Sequence, residues 1–187
     1  MNADGKRTVL GTRKVLAVSF FNRPTVAVAR DLLGTYLVRR YHGRESAAMI
    51  TEVEAYDGFR DRGSHALRGK TARNAPMFGP PGHWYVYFTY GMHWMLNVVT
   101  RERGYPAAVL LRGVVGAAGP ARLTKKLHVD KKLNGLSATK KNGLWFEDRG
   151  VRVSKGSITF GPRVGIGYAG LYWSRRKWRF WVEKFDK

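Results

Sequence analysis

Apolar and polar residues change their spacing several times along the chain, and each change marks an element. After Asn22-Arg23-Pro24, the residues Val26, Ala29 and Leu33 recur on one helical face until Gly34. A proline is tolerated in a helix's first turn, so this segment predicts a short core-facing helix. Residues 35–40 alternate, 41–44 turn, and 45–56 return as a strand, which predicts a hairpin ending beside Glu54. Residues 57–82 hold Gly, Pro, Arg and Asn without a sustained period. They predict a long loop carrying His65, Lys70, Arg73 and Asn74, and long loops inside compact domains are often functional. Residues 84–90 form an aromatic strand, Gly91-Met92 a turn, 94–100 its partner, and 107–113 a further apolar strand. Gly119-Pro120 opens a helix with Leu123 and Leu127 inward and lysines outward. Short strands near Leu144, Ile158 and Phe180 complete an α+β fold: a single compact domain with a curved antiparallel sheet and flanking short helices. Residues 1–18 are expected to be a basic, partly flexible segment, and 19–187 the folded domain.

Composition narrows the partners. A chain of 187 residues with 44% apolar content can bury a real core, which excludes a disordered protein. Its formal charge of +21, from 34 Lys+Arg against 13 Asp+Glu, exceeds what solubility needs and calls for a polyanion, with nucleic acid ahead of an anionic membrane. With no cysteine, the chain has no disulfide, thiol nucleophile or cysteine zinc site. The apolar run 15–21 after the basic start is too short for an export signal or membrane span, so a soluble protein of the cytoplasm is expected, nucleoid-associated in a bacterium.

Candidate chemistry is sparse. Glu52 and Glu54 are two apart, so on a strand both carboxylates leave one face, about 7 Å apart. The pair can divide acid and base work, or it can mark the solvent face of an edge strand. In 84–90, Tyr85 and Tyr87 share one face while Trp84, Phe88 and Tyr90 share the other. Such rings are core in most proteins, but beside this charge they can also stack on bases. Tyr90, at a hairpin tip, can act as an unstacking wedge. His65, His83 and His93 lack metal-ligand spacing, and the glycines at 161, 165, 167 and 170 are not followed by the lysine or serine a phosphate loop needs, so neither a metal nor a cofactor is expected.

One ordered series is more specific. It runs from Phe21-Asn22-Arg23-Pro24 and Ala29-Arg30-Asp31-Leu32-Leu33-Gly34 through Thr51-Glu52-Val53-Glu54-Ala55-Tyr56, Ser64-His65 and Ala72-Arg73-Asn74-Ala75-Pro76-Met77-Phe78-Gly79. It continues with Tyr85-Val86-Tyr87, Tyr90-Gly91-Met92, Leu96-Asn97-Val98-Val99-Thr100, Ala107-Ala108-Val109-Leu110-Leu111-Arg112 and Arg163-Val164-Gly165-Ile166-Gly167. This series resembles the 3-methyladenine (alkyladenine) DNA glycosylase family, of the type without a helix-hairpin-helix motif. The resemblance implies an enzyme that flips alkylated or deaminated purines out of duplex DNA and hydrolyses the N-glycosidic bond, leaving an abasic site without cutting the strand. It implies that Glu54 deprotonates the attacking water, held by Arg112 and a main-chain carbonyl near Ile166. Tyr56 and His65 would cover one face of the base and Tyr87 the other, Leu110 would wall the pocket, and Asn97 at its floor would disfavour the 2-amino group of normal guanine. Tyr90 and Met92 would form a protruding DNA-inserting hairpin, with Lys70 and Arg73 at the DNA surface. Damaged duplex DNA is the implied partner of a single copy of the chain, acting as a monomer.

The chain departs from the family between the Leu-Arg strand and the Gly-Pro helix start, where only 113–118 replaces a helical insertion of a few tens of residues. A non-catalytic RNA- or DNA-binding domain of similar β-rich fold remains the alternative from charge and aromatics alone. A carboxylate-pair glycosidase for saccharides would need a second acid, and Glu52 and Asp57 are the near candidates.

Overall fold

In the computed structural model, which describes residues 13–183, the strand β3 (Arg44–Asp57) is the element on which the others assemble. Along one edge it pairs first with β2 (Tyr36–Tyr41) and then with β10 (Arg179–Val182); along the other it pairs with β6 (Ala107–Val114). The sheet continues outward from β6 through β5 (His93–Val99) to β4 (Trp84–Thr89), and from β2 through β8 (Leu144–Asp148) to β1 (Lys14–Val15). The small strands β7 (Ala117–Ala118) and β9 (Ile158–Gly161) extend β6 and β10, and all pairs are antiparallel. Four short helices flank the sheet: α1 (Val18–Phe21), α2 (Thr25–Leu32), α3 (Pro120–Lys126) and α4 (Leu171–Ser174). The α+β architecture expected from the hydrophobic pattern is the one present.

Strand alternation sorts the sheet into two faces. Trp84, Val86, Leu96, Val98, Val109 and Leu111 join Val28, Ala29 and Leu32 of α2 and Leu123 of α3 in the main core. Tyr85, Tyr87, Val99 and Ala108 point the other way, where Ala66 and Met77 from the 57–82 loop cover them. β3 obeys this rule only because it is irregular. Ala48 and Ile50 face the core, but so do Val53 and Ala55, and the register to β6 shifts between Ile50 and Glu52 and again at Val53. Uninterrupted alternation would send Glu52 and Glu54 into the apolar core with Ile50. The irregularity turns them, with Tyr56, to the opposite face. Gly113 sits opposite, where a β-carbon would fall 2.9 Å from the Thr51 hydroxyl and 3.1 Å from the Glu52 β-carbon.

Some expectations need correction. The fully buried stripe of α2 is Thr25, Val28, Ala29 and Leu32; of the expected face, Ala29 and the cap residue Leu33 are in the core, and Val26 only packs against its margin. Thr25 can be buried because its hydroxyl donates to Asp57 Oδ1 at 2.8 Å and accepts from Thr100 Oγ1 at 3.0 Å. The helix α1 and the four-residue α4 are too short for periodicity to reveal, and the 57–82 loop contains a single 3-10 turn, Ala75–Phe78. Residues 1–12 of the expected basic segment lie outside the described residues; Lys14 and Val15 pair with Asp148 and Glu147. Among the described residues no helix is long and apolar enough to cross a membrane, and no three His, Asp or Glu side chains cluster as metal ligands would.

Candidate active site

Glu54 is fully buried on the central strand, not exposed on an edge, which removes the solvent-face reading. Its Oε2 accepts from the Tyr56 hydroxyl at 2.8 Å, its Oε1 accepts from the Val164 N–H at 2.8 Å, and Arg112 Nη1 lies 3.4 Å from Oε1. Burial lifts the Glu54 pKa above the ordinary 4.5, with Arg112, the Val164 amide, Tyr56 and Arg163 pulling it back down. Glu52 is held differently: its Oε1 accepts from Arg112 Nε at 2.9 Å and from Arg179 Nε at 2.6 Å. Arg112 therefore bridges two carboxylates, one satisfied by two cations and one left with raised proton affinity. A carboxylate of the second kind suits a general base near neutral pH.

Tyr56 and Arg112 also line an open cleft of about 390 Å³, together with His65, Tyr87, Tyr90, Asn97 and Leu110. Seven residues expected from scattered sequence positions thus meet at one place. Asn97 is buried at the floor and donates from Nδ2 to the Tyr85 carbonyl at 3.0 Å. Leu110 pairs with both Glu54 and Asn97 across the ladders. His65 Nδ1 is 2.9 Å from the Tyr85 hydroxyl, and burial followed by the nearby Arg73 lowers its pKa, which favours the neutral ring. Burial, then the charge of Glu54, pushes the Tyr87 hydroxyl up to about 12. The His65 and Tyr87 rings meet edge-on at 4.7 Å. A flat base stacked between two rings needs about 7 Å, twice the van der Waals separation, so entry between these two requires His65 to turn aside.

At the rim, Tyr90 and Gly91 both have positive φ, 51° and 64°, and the Met92 N–H donates to the Thr89 carbonyl at 3.1 Å. Thr89 pairs with His93, so the loop has three residues, 90–92, and its left-handed backbone favours Asn or Gly where Tyr90 stands. Tyr90 is 80% exposed and Met92 67%. Arg73 donates to the Phe88 carbonyl at 3.0 Å and lies over the Tyr87 ring, bracing the hairpin from outside the cleft. Lys70 is exposed on the same loop. A larger groove of about 860 Å³ runs between residues 14–35 and 148–160. Its acids are paired, Asp31 with Arg23 and Asp148 with Arg152, and it holds no buried carboxylate.

The sequence pattern of methylpurine-DNA glycosylases (MPG) matches residues 19–116 and 115–185, nearly the whole chain. The chain belongs to this family. Three relatives are provisionally named 3-methyladenine DNA glycosylases. That of Methanocella arvoryzae is 43% identical over 187 residues, covering 89% of this chain and 92% of the relative. That of Streptomyces avermitilis is 43% identical over 193 residues, covering 91% and 89%. That of Carboxydothermus hydrogenoformans is 42% identical over 171 residues, covering 81% and 88%. The two matched stretches meet at 115–116, between β6 and β7, and none of the cleft residues named above falls at that junction.

One buried ion pair in this glycosylase joins segments far apart in the sequence. Asp61 and Arg163 are both buried and joined at 2.5 and 2.7 Å, and Arg163 also donates to the Ala55 carbonyl at 3.0 Å. The guanidinium lies over Tyr56, and Asp61 accepts from the Gly63 N–H at 2.9 Å. The pair therefore ties together the strand beside Glu54, the loop leading to His65, and the segment whose Val164 amide reaches Glu54. No local signal marks it, because Arg163 and Asp61 are 102 residues apart.

Proposed function

We propose that this glycosylase removes damaged purines from duplex DNA by base flipping and a Glu54-activated water. The observation that carries this reading is the buried carboxylate of Glu54 beneath an aromatic cleft, with its pKa raised by burial. A base in the stack cannot be attacked, so it must first be extruded, at a cost of a few kcal/mol that is lower for a damaged pair. Tyr90, at the tip of the rim hairpin, fills the vacated space, and Met92 packs beside it. The extruded base enters the cleft between Tyr87 on one side and Tyr56 with His65 on the other, once His65 has rotated. Leu110 and Asn97 close the inner end, where the 2-amino group of guanine meets the Asn97 side chain.

In the chemical step the water oxygen bonds to C1′ of the deoxyribose as the C1′–N bond breaks. Its proton passes to Glu54, and the bond electrons leave with the base. Arg112 and the Ile166 carbonyl hold the water, and Glu52 holds Arg112. Purines alkylated at N3 or N7 are cationic, so they favour the electron-rich tyrosine faces and leave without acid assistance. Hypoxanthine is neutral and leaves only after protonation, so its excision rate depends more on pH than that of 7-methylguanine; equal profiles would contradict this mechanism. Because water is the nucleophile, borohydride traps no protein–DNA adduct.

The test compares the protein with its Glu54→Gln variant on duplexes carrying one hypoxanthine, ethenoadenine or 7-methylguanine, scored as alkali-labile sites. Excision by the parent alone is expected. If neither protein excises any of these bases while RNA is bound tightly, the chain is a binding domain and the proposal fails.

A further inference from the structure

The segment after the cleft carries exposed features that the proposed chemistry does not use. Tyr168 lines the cleft but is 73% exposed, and just beyond it Leu171 and Tyr172 of α4 are 71% and 67% exposed. Arg176 is caged by rings: its guanidinium lies 4.2 Å from the Trp178 centroid, 5.1 Å from Trp173 and 5.3 Å from Tyr172, and it donates to the Tyr172 hydroxyl at 3.0 Å. Arg175 is exposed beside it. Among the described residues no carboxylate lies within ion-pair distance of either arginine. Between Asp148 and Glu183 the sequence contains no acid but eight Lys and Arg.

A ring-stacked guanidinium has little side-chain freedom left to lose and still presents most of its five donors in a planar fork, the geometry that suits phosphate oxygens. The aromatic cage fixes that fork on a shelf formed by α4, which follows within three residues of the cleft-lining Tyr168. We propose that the Arg175–Arg176 shelf is a second DNA contact, taking backbone phosphates of the duplex beside the extruded nucleotide. This rests on the proposed function, because only a nucleotide extruded toward the cleft, with or without its base, brings the neighbouring phosphates over the Tyr168 rim. The free charge and the spacing of one phosphate every ~3.4 Å per strand make consecutive contacts by the two arginines natural.

The experiment measures the affinity for a duplex bearing an abasic-site analogue across a salt series. It compares the parent, an Arg175→Gln/Arg176→Gln variant and a Lys140→Gln/Lys141→Gln control, whose lysines lie in the turn before β8 and do not line the cleft. Two lost phosphate contacts lower the slope of log affinity against log salt by about two, and the control lowers it by clearly less. Neutral methylphosphonate linkages placed singly around the lesion then weaken the parent at one or two positions, and the shelf variant is insensitive at those positions. A slope equal to the control's, or an unchanged linkage profile, overturns the shelf. Absence of excision by the parent alongside a shelf-dependent slope would instead overturn the proposed glycosylase chemistry and leave the DNA contact standing.

Discussion

At Glu54 the fold holds a carboxylate where its charged form is disfavoured. Burial raises its pKa above 4.5, so the native chain binds this proton more tightly than the unfolded chain. Stability from this group is then fully present below the unfolded value and is lost as pH rises through the folded one. Glu54→Gln removes that loss. The variant is expected to melt at a higher temperature than the parent at pH 8, with the gap closing as pH falls toward 4, while excision drops by about 10² to 10⁴-fold. Calorimetry over that range checks the first part, and a variant that melts lower throughout would contradict the assignment. The parent's excision rate should fall on acidification with a midpoint above the ordinary carboxylate range. In the sequence Glu54 differs from Glu52 only in position, and both sit among apolar neighbours. What separates them is the partner set, two arginine Nε donors for Glu52 against burial, one tyrosine and one amide for Glu54.

Among the elements, the β4–β5 hairpin and the Asp61–Arg163 tie carry opposite lessons. The hairpin was legible, since aromatic alternation and Tyr90-Gly91-Met92 at a strand end leave few other structures. The strain in it was not, because φ at Tyr90 is decided only when the two strands pair. Tyr90→Asn puts at this left-handed position a residue that tolerates positive φ better, and should stabilise the fold by up to about 1 kcal/mol. It also removes the wedge, so damaged-base excision should fall at least tenfold; urea melts paired with excision assays read both. Unchanged excision would mean that the tip does not enter DNA. Arg163→Met strands the Asp61 charge in the interior and should cost about 3–5 kcal/mol in urea unfolding. A loss under about 1 kcal/mol would show that the pair does not hold the cleft walls together. The tie is not legible in the sequence because its partners come from distant loops with no periodic pattern.

At the scale of the whole molecule, a charge of +21 on 187 residues opposes compaction and attracts DNA, and salt acts on the two in opposite directions. Raising salt from about 0.05 to 0.3 M should increase the melting temperature of the free protein while weakening its binding to duplex; damaged duplex added at about a hundred times its Kd should stabilise the fold by roughly 2.7 kcal/mol. A melting temperature that falls with salt would mean that specific surface ion pairs outweigh the general repulsion. The fold class, most strands, the family and the cleft residues could be read from the chain itself, because hydrophobic spacing dictates which side of each strand is buried and an ordered set of motifs specifies a family. Three features could not. The register shift at residues 50–53 turns Glu54 out of the core, the His65 ring rests edge-on against Tyr87, and the Asp61–Arg163 pair closes the wall. Each depends on how distant segments meet, and a contact between residues a hundred positions apart leaves no mark on the local pattern of either.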